Sequence, residues 1–205
     1  MEARNESNFY GYVSVLHAVP DAPNVDVYAN NNLIAENLAY GKYTDYLRVP
    51  AGTYQISVYA TGTKTNPVTT TMLSVVRNET FTVIATGMLA TIDLLTIRDA
   101  NVPAVADKAL VRFVHISPNA PAVNVTLPGG EVLFEDITYK DVTDYIPLDA
   151  SVYTLQIRVA ATDAVVLTVP RVNAKNNRYY TIYAIGLVGE QPELAALVVQ
   201  DRTVR

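Results

Sequence analysis

The chain of 205 residues contains no cysteine, and this absence excludes both disulfide bonds and thiolate metal ligands. Its 15 lysine and arginine residues are scattered, so no basic cluster neutralises a run of phosphates and nucleic-acid binding is not expected. No stretch of about 18 consecutive apolar residues occurs, so we predict no membrane span. Residues 1–12 also lack an apolar stretch, and no signal peptide is expected in this sequence.

The residues that are present favour a globular β protein. Half of them are hydrophobic and 17% are charged, which is typical of a chain that folds around a core. The sequence is rich in Val, Thr, Tyr and Ile, the residue types that suit half-buried strands. There are 14 Tyr against 4 Phe and no Trp, which indicates aromatic rings with one edge in water.

The sequence contains an internal repeat. Residues 13–27 align with residues 111–125, and seven of these 15 positions are identical, including one histidine and two prolines. With one inserted residue the register continues, so that Thr44–Tyr46 aligns with Thr143–Tyr145. A single insertion over such a span indicates a duplicated domain.

Strand and turn patterns give the expected organisation of each copy. In residues 54–60 and 153–159 apolar residues alternate with polar ones, as in strands with one face on a core. Recurring turn residues divide each copy into about seven short strands, the number typical of a sandwich. We therefore predict an all-β chain of two tandem β-sandwich domains. The expected limits are an N-terminal arm over 1–9, a first domain over 10–99, a linker over 100–108 and a second domain over 109–205.

Three segments of the first copy carry a family resemblance, namely His17–Tyr28, Leu38–Tyr40 and Val49–Tyr54. They resemble the pattern H-x-S-P-D-A-P-x-V-D-V-Y, then L-x-Y, then V-P-A-G-x-Y of the bacterial domain-of-unknown-function 4397 family. The second copy departs from it at Asn119, Asn124 and Asp149–Ser151. The resemblance implies an extracytoplasmic sandwich of immunoglobulin-like or transthyretin-like kind, and it brings no established activity or catalytic residue.

The two histidines of the chain occupy equivalent positions, and two interpretations are open for them. Imidazole and carboxylate are suitable ligands for a divalent cation, so His17 could bind a metal together with Asp21 and Asp26. The second copy keeps the histidine but has asparagine at both acidic positions, and an amide is a poor anionic ligand that still holds a loop by hydrogen bonds. We therefore predict no metal site and a structural loop motif in each copy, made of His17, Pro20, Asp21, Pro23 and Asp26 and of His115, Pro118, Asn119, Pro121 and Asn124.

Several tyrosines and aspartates are candidates for a surface that contacts a partner. Tyrosine suits the rim of an interface, and the Thr-Asp-Tyr triplet occurs in both copies. The alternative interpretation of the triplet is the start of a strand, where the aspartate caps a turn and the tyrosine packs on the core. The candidates for a partner surface are Tyr28, Tyr40, Tyr43, Asp45, Tyr46, Asp144 and Tyr145.

The sequence favours a protein that is not an enzyme and has no cofactor. It has neither a cysteine nor a Gly-x-Ser-x-Gly nucleophile elbow, and it lacks the glycine-rich phosphate loops of nucleotide-binding proteins. A pair of carboxylates of glycosidase type stays open as an alternative, as does a hydrolase or a metal-dependent enzyme.

The function that we expect is structural or adhesive, at a cell or spore surface. The polar arm over 1–9 precedes the first repeat, so we expect either self-association or contact with another surface component. Strand addition of the arm into a neighbouring copy would give a polymer or filament. The alternative is an extracellular module that binds a glycan, a peptide or a cell-wall component through exposed tyrosines.

Overall fold

A computed structural model of the chain describes residues 9–203. The chain divides into two compact units after Asn101, and the second unit runs from Val102 to Asp201. This division falls inside the predicted linker over 100–108, whose last residue, Lys108, begins a strand. No helix among the described residues is long and apolar enough to cross a membrane.

The first unit consists of eight strands in two four-stranded sheets. The strands are β1 (Tyr10–His17), β2 (Val25–Ala29), β3 (Asn32–Leu38), β4 (Leu47–Pro50), β5 (Gly52–Ala60), β6 (Thr69–Val75), β7 (Thr80–Thr86) and β8 (Asp93–Asp99). One sheet has the order β4-β1-β7-β8 and the other β3-β2-β5-β6. Strands β1 and β7 are parallel, and the other neighbours are antiparallel.

The second unit has the same architecture. Its strands are β9 (Lys108–His115), β10 (Val123–Thr126), β11 (Val132–Ile137), β12 (Ile146–Asp149), β13 (Ser151–Val159), β14 (Val165–Ala174), β15 (Tyr179–Ile185) and β16 (Ala195–Asp201). The sheet orders, β12-β9-β15-β16 and β11-β10-β13-β14, match those of the first unit strand for strand. The prediction of two tandem all-β sandwiches is therefore confirmed.

The strand count and the strand order refine the prediction. Each domain has eight strands where the turn pattern suggested about seven. The four-residue strands β4 and β12 are hard to recognise in sequence because a single residue separates each from the next strand. The order also differs from that of an immunoglobulin domain, in which the first two strands are neighbours.

Each sandwich encloses its own hydrophobic core between the two sheets. In the first domain Val15, Ile56 and Val83 are buried there, and in the second domain Phe113 and Leu155 are buried in the same way. Alternation along the strands directs these side chains inward, as period-two patterning predicts.

Candidate functional site

The two histidines lie at the ends of β1 and β9, and both are 0% exposed. The Nε2 of His17 is 3.0 Å from the carbonyl oxygen of Pro23, and the Nε2 of His115 is 3.1 Å from that of Pro121. A carbonyl oxygen only accepts, so Nε2 carries the proton in both rings. In the first domain Nδ1 of the histidine accepts a hydrogen bond of 3.4 Å from the backbone N–H of Val19. Each imidazole therefore clamps the loop that follows it onto the end of a strand.

Burial keeps both imidazoles neutral near pH 7. It lowers the pKa of His17 and of His115 below 6.5, although the hydrogen bond to the proline carbonyl acts in the opposite direction. Tyr40 packs edge-on against His17 with ring centroids 6.4 Å apart, and burial raises the pKa of this tyrosine to about 12. Tyr139 takes the same place beside His115 in the second domain. The histidines are therefore internal groups of each loop.

Asp21 and Asn119 hydrogen-bond these loops to the segment that joins the last two strands of each domain. An Oδ1 atom accepts the hydrogen bond in both cases, at 2.7 Å from the backbone N–H of Leu89 and at 2.8 Å from that of Val188. Each side chain follows a proline, Pro20 or Pro118, in a turn. The bond from the backbone N–H needs only a side-chain oxygen, which a carboxylate and an amide both supply. The Nδ2 of Asn119 donates in addition to the carbonyl oxygen of Val188 at 3.2 Å.

Asp26 and Asn124 hold a second irregular point of the backbone. The Oδ1 of Asp26 lies 2.8 Å from the backbone N–H of Asn37, and that of Asn124 lies 2.8 Å from the N–H of Asp136. Both donors have positive φ, 49° and 51°, and lie where the pairing of their strand with its neighbour shifts register. Burial opposes the charge on Asp26, but hydrogen bonds from Asn37, Gly62 and other groups outweigh it and lower the pKa.

The candidate metal ligands of the first copy are thus directed to separate backbone partners. His17 donates to Pro23, while Asp21 accepts from the connection between β7 and β8 and Asp26 accepts from β3. Within residues 9–203, no group of three or more His, Asp or Glu side chains is arranged to hold a metal ion.

The equivalence of Asp21 and Asn119 gives a quantitative prediction. Asp21→Asn should change the free energy of unfolding by less than about 0.5 kcal/mol, whereas Asp21→Ala should cost about 1 kcal/mol because the N–H of Leu89 loses its acceptor. Urea unfolding of the full chain, followed by hydrogen exchange in peptides of the first domain, measures both values. Equal losses in the two variants would mean that the negative charge, and not the oxygen acceptor, is what the loop requires.

The tyrosines of the Thr-Asp-Tyr triplets belong to internal networks. The hydroxyl of Tyr46 donates to Oδ2 of Asp99 at 3.0 Å, and the hydroxyl of Tyr145 donates to Oδ2 of Asp201 at 2.7 Å. Both aspartates are buried at the end of the last strand of their domain, and Thr82 and Thr181 also donate to them. These two aspartates are not among the residues predicted from the sequence, although both copies have an aspartate at the end of the last strand and an alignment of the copies shows this.

The other candidates for a partner surface are dispersed. Asp45 and Asp144 are exposed, and Tyr43 is 44% exposed in the segment after β3. Tyr28 lies on the outer face of its sheet, where Tyr59 packs edge-on at 5.5 Å and the Nζ of Lys64 stands 4.2 Å above the ring. Tyr40 is half-buried and packs against the ring of His17.

The chain matches one protein-family model twice, over residues 11–126 and 127–205, and the family is described as a domain of unknown function (DUF4397). The chain belongs to this family. The boundary between the two DUF4397 matches lies beyond the structural division after Asn101. The structural boundary is the physical one, because β10, which precedes residue 127, pairs with β13 inside the second domain.

Nine chains of solved structures are similar to this chain. A Bacteroides thetaiotaomicron protein of family DUF1812, proposed to bind polysaccharides, aligns over 93% of this chain and 95% of its own, with 12% identity and a TM-score of 0.27. A likeness at that TM-score carries no argument about function. No curated protein matches the chain.

The second DUF4397 domain contains a cleft of about 410 Å³ between the start of β14 and the connection from β15 to β16. Its walls include the apolar side chains of Val166 and Leu187 and the carboxylates of Glu190 and Glu193. Glu190 accepts from Asn119, and Glu193 accepts from Gln191. None of the described residues that line the cleft is aromatic, so it offers no platform on which a sugar ring would stack.

The sheets of both DUF4397 domains end in open edges, and these edges differ in their protection. Strand β3 carries one acidic residue and β11 carries two, and each has a positive-φ residue. Strand β14 carries Pro170 followed by Arg171 with a φ of 57°. Charges, prolines and bulges are devices that prevent an edge from pairing with another chain. Strand β6 and its flanks, residues 68–76, contain neither a charged residue nor a proline.

Proposed function

We propose that the protein is a non-catalytic structural or adhesive module of a cell or spore surface that acts by associating with further copies of itself. The observation that carries this proposal is that the polar side chains shared by both copies bond to partners inside their own domain. The imidazoles of His17 and His115 donate to proline carbonyls, and the carboxylates of Asp99 and Asp201 accept from internal hydroxyls.

An enzyme presents its acid, base or nucleophile where a substrate reaches it. In this protein the shared histidines are 0% exposed and the shared aspartates at the ends of β8 and β16 are buried. These groups stabilise loops and strand ends, which supports a scaffold role over a catalytic one. Open sheet edges supply the means of association, since an edge with unpaired N–H and C=O groups accepts a further strand.

A surface location agrees with the composition. The chain has no cysteine, so its fold depends on no disulfide and is independent of the redox state of its surroundings, including an oxidising exterior. Its two β-sandwich domains suit a structural role outside the cell. Fluorescent antibody labelling of intact and of permeabilised cells tests this, and labelling only after permeabilisation would contradict it.

The proposed function is tested by the size of the full chain in solution. Light scattering over a range of concentrations should give a mass above the 22.4 kDa of a single copy, and electron microscopy should show the assembled form. A monomer at every concentration would contradict self-association. Deletion of residues 1–9 tests the predicted role of the arm, of which residues 1–8 lie outside the described part of the chain.

Glycan binding is a second candidate because of one feature of the first domain. Tyr28 and Tyr59 form an edge-to-face pair on an outer sheet face, and the second domain has Thr126 and Arg158 at the equivalent positions. Tyrosine faces stack on sugars, but a sugar would have to displace Lys64 from the ring of Tyr28. Glycan-array binding that Tyr28→Ala abolishes would favour this candidate.

A further inference from the structure

The orientation of β6 follows from the hydrogen bonds of its neighbour. The backbone N–H of Gln55 in β5 donates to Oδ1 of Asn30, and its carbonyl oxygen accepts from the N–H of Asn30 at 2.7 Å. The polar backbone groups of Gln55 therefore point away from β6. Gln55 lies directly opposite Met72, so the pair shares no hydrogen bond, and the N–H and C=O of Met72 point outward.

Alternation extends this orientation along the strand. Thr70 and Ser74 are two residues from Met72 on either side, so their backbone groups also point outward. The side chains of all three residues are exposed, and that of Met72 is 64% exposed. Strand β6 is last in its sheet order, so these donors and acceptors form the edge of the sheet.

The second domain blocks the same edge. Tyr153 pairs with Val172 and Leu155 pairs with Val169, so that Pro170 and Arg171 together oppose Thr154. This is the place that Met72 takes in the first domain. The proline has no N–H to donate, and the inserted residue bends the strand, so β14 is closed to a further strand where β6 is open.

The sequence of β6 is complementary to itself in the antiparallel direction. About a two-fold axis at Met72, Thr70 faces Ser74 of the second copy, and Val68 faces Val76 of the second copy. Among these exposed residues apolar ones meet apolar ones and hydroxyls meet hydroxyls, and no like charges are opposed along the strand. The Met72 pair and the Thr70–Ser74 pairs exchange both of their backbone hydrogen bonds, since the groups that point outward are those that such pairs use. Val68 and Val76 contribute only side-chain contact, because the N–H of Val68 already donates to Val58 and the carbonyl oxygen of Val76 already accepts from Glu79.

We infer that two copies of the chain associate through antiparallel pairing of β6 with β6 of the second copy, which joins two four-stranded sheets into one. This inference rests on the proposed function, and it names a second copy as the partner and β6 as the contact of the proposed self-association. A second copy fits the edge better than the arm over 1–8, because an added arm strand would place Glu2, Arg4 and Glu6 along an uncharged edge. The contact is isologous, so each copy contributes the same surface.

Two substitutions at Met72 test the contact. Met72→Lys places a charge at the centre of the symmetric strand pair, and Met72→Pro removes an outward N–H, as Pro170 does in the second domain. Each should weaken association at least about 100-fold in sedimentation velocity, with circular dichroism unchanged. Val152→Lys is the matched control, because Val152 is 60% exposed on the inner strand β13, and it should associate as the native chain does.

The outcomes separate this inference from the proposed function. A native chain that stays monomeric contradicts both. A native chain that associates while both Met72 variants associate equally well overturns only the β6 contact. Loss of association on deletion of residues 1–9, with Met72→Lys unaffected, would assign the edge contact to the arm instead. If Met72→Pro fails to fold, Met72→Lys decides.

The absence of cysteine allows a direct geometric test. In the inferred pair the two Met72 Cα atoms face each other about 5.5 Å apart, within the range of a disulfide. Mild oxidation of Met72→Cys should therefore give a covalent dimer as the main product at micromolar concentration. Val152→Cys should give none above background, and equal cross-linking of the two variants would contradict the contact.

Discussion

Replacing His17 by alanine should lower the free energy of unfolding of the first domain by about 3 kcal/mol. The substitution leaves a cavity at a position that is 0% exposed, and it removes the donor to the carbonyl of Pro23 and the acceptor for the N–H of Val19. Urea unfolding followed by hydrogen exchange in peptides of each domain measures the loss. Tyr43→Ala, at a residue 44% exposed, is the control and should stay within about 0.5 kcal/mol.

The pH dependence of stability in the same variant distinguishes the loss of the titrating imidazole from the loss of packing alone. Burial lowers the pKa of the folded His17 below 6.5, so between that lowered pKa and 6.5 the unfolded chain binds more protons than the folded chain. Stability therefore rises with pH in this window, by up to about 1.4 kcal/mol per unit for each histidine, and is level above it. His17→Ala should remove this slope from the first domain and leave it in the second, where His115 has the same shift.

Carboxylates do not obscure this result. Asp26 and Asp141 have lowered pKa values, so the stability they contribute is present above about pH 4 and is lost only as the pH falls further. An unchanged slope just below pH 6.5 in His17→Ala would mean that another group titrates there, and it would contradict the role assigned to the neutral imidazole of His17.

Gly186→Ala should destabilise the second domain by about 3 kcal/mol or more. Gly186 has a φ of +86°, and a Cβ atom there would overlap the carbonyl oxygen of Glu193 across the connection between β15 and β16. Its own carbonyl oxygen also accepts from the buried hydroxyl of Ser117 in the histidine loop. A shift of this backbone would thus disturb both the loop and the cleft.

Gly189→Ala is the matched control in the same connection. Gly189 has a φ of +74°, but a Cβ atom there would meet nothing within 4 Å. Only the cost of a left-handed backbone remains, about 1 kcal/mol. Thermal unfolding of both variants, read from second-domain peptides, gives the comparison. Equal losses would mean that conformation alone, and not the approach of Glu193, requires glycine at 186.

The features that could be predicted from the sequence are those that depend on residues close together along the chain. The duplication is visible because His17 and His115 stand in the same spacing to their prolines, and the strands are visible because burial alternates along them. The exchange of Asp21 for Asn119 also indicated an oxygen acceptor before the partner was known. Its partner, the N–H of Leu89, lies 68 residues away and required the fold.

The features that sequence could not predict depend on pairing between distant strands. Parallel pairing of β1 with β7 brings Tyr46 and Asp99 into one network, and no local pattern encodes that contact. The openness of β6 is of the same kind. Its alternation is that of any strand, and only the sheet order, together with the direction of the Gln55 hydrogen bonds, identifies it as an exposed edge.

The proline and bulge in β14 determine how many edge strands of one molecule can pair with another copy. If the second domain had an open edge strand like β6, each molecule would have two such edges. Pairing through both of them would then build a polymer of unlimited length. With Pro170 and Arg171 in place, one molecule has a single such edge, so pairing at β6 terminates at two copies. Any longer fibre built from this protein must then use a chemically different contact for its second link, which allows the two links to be regulated separately.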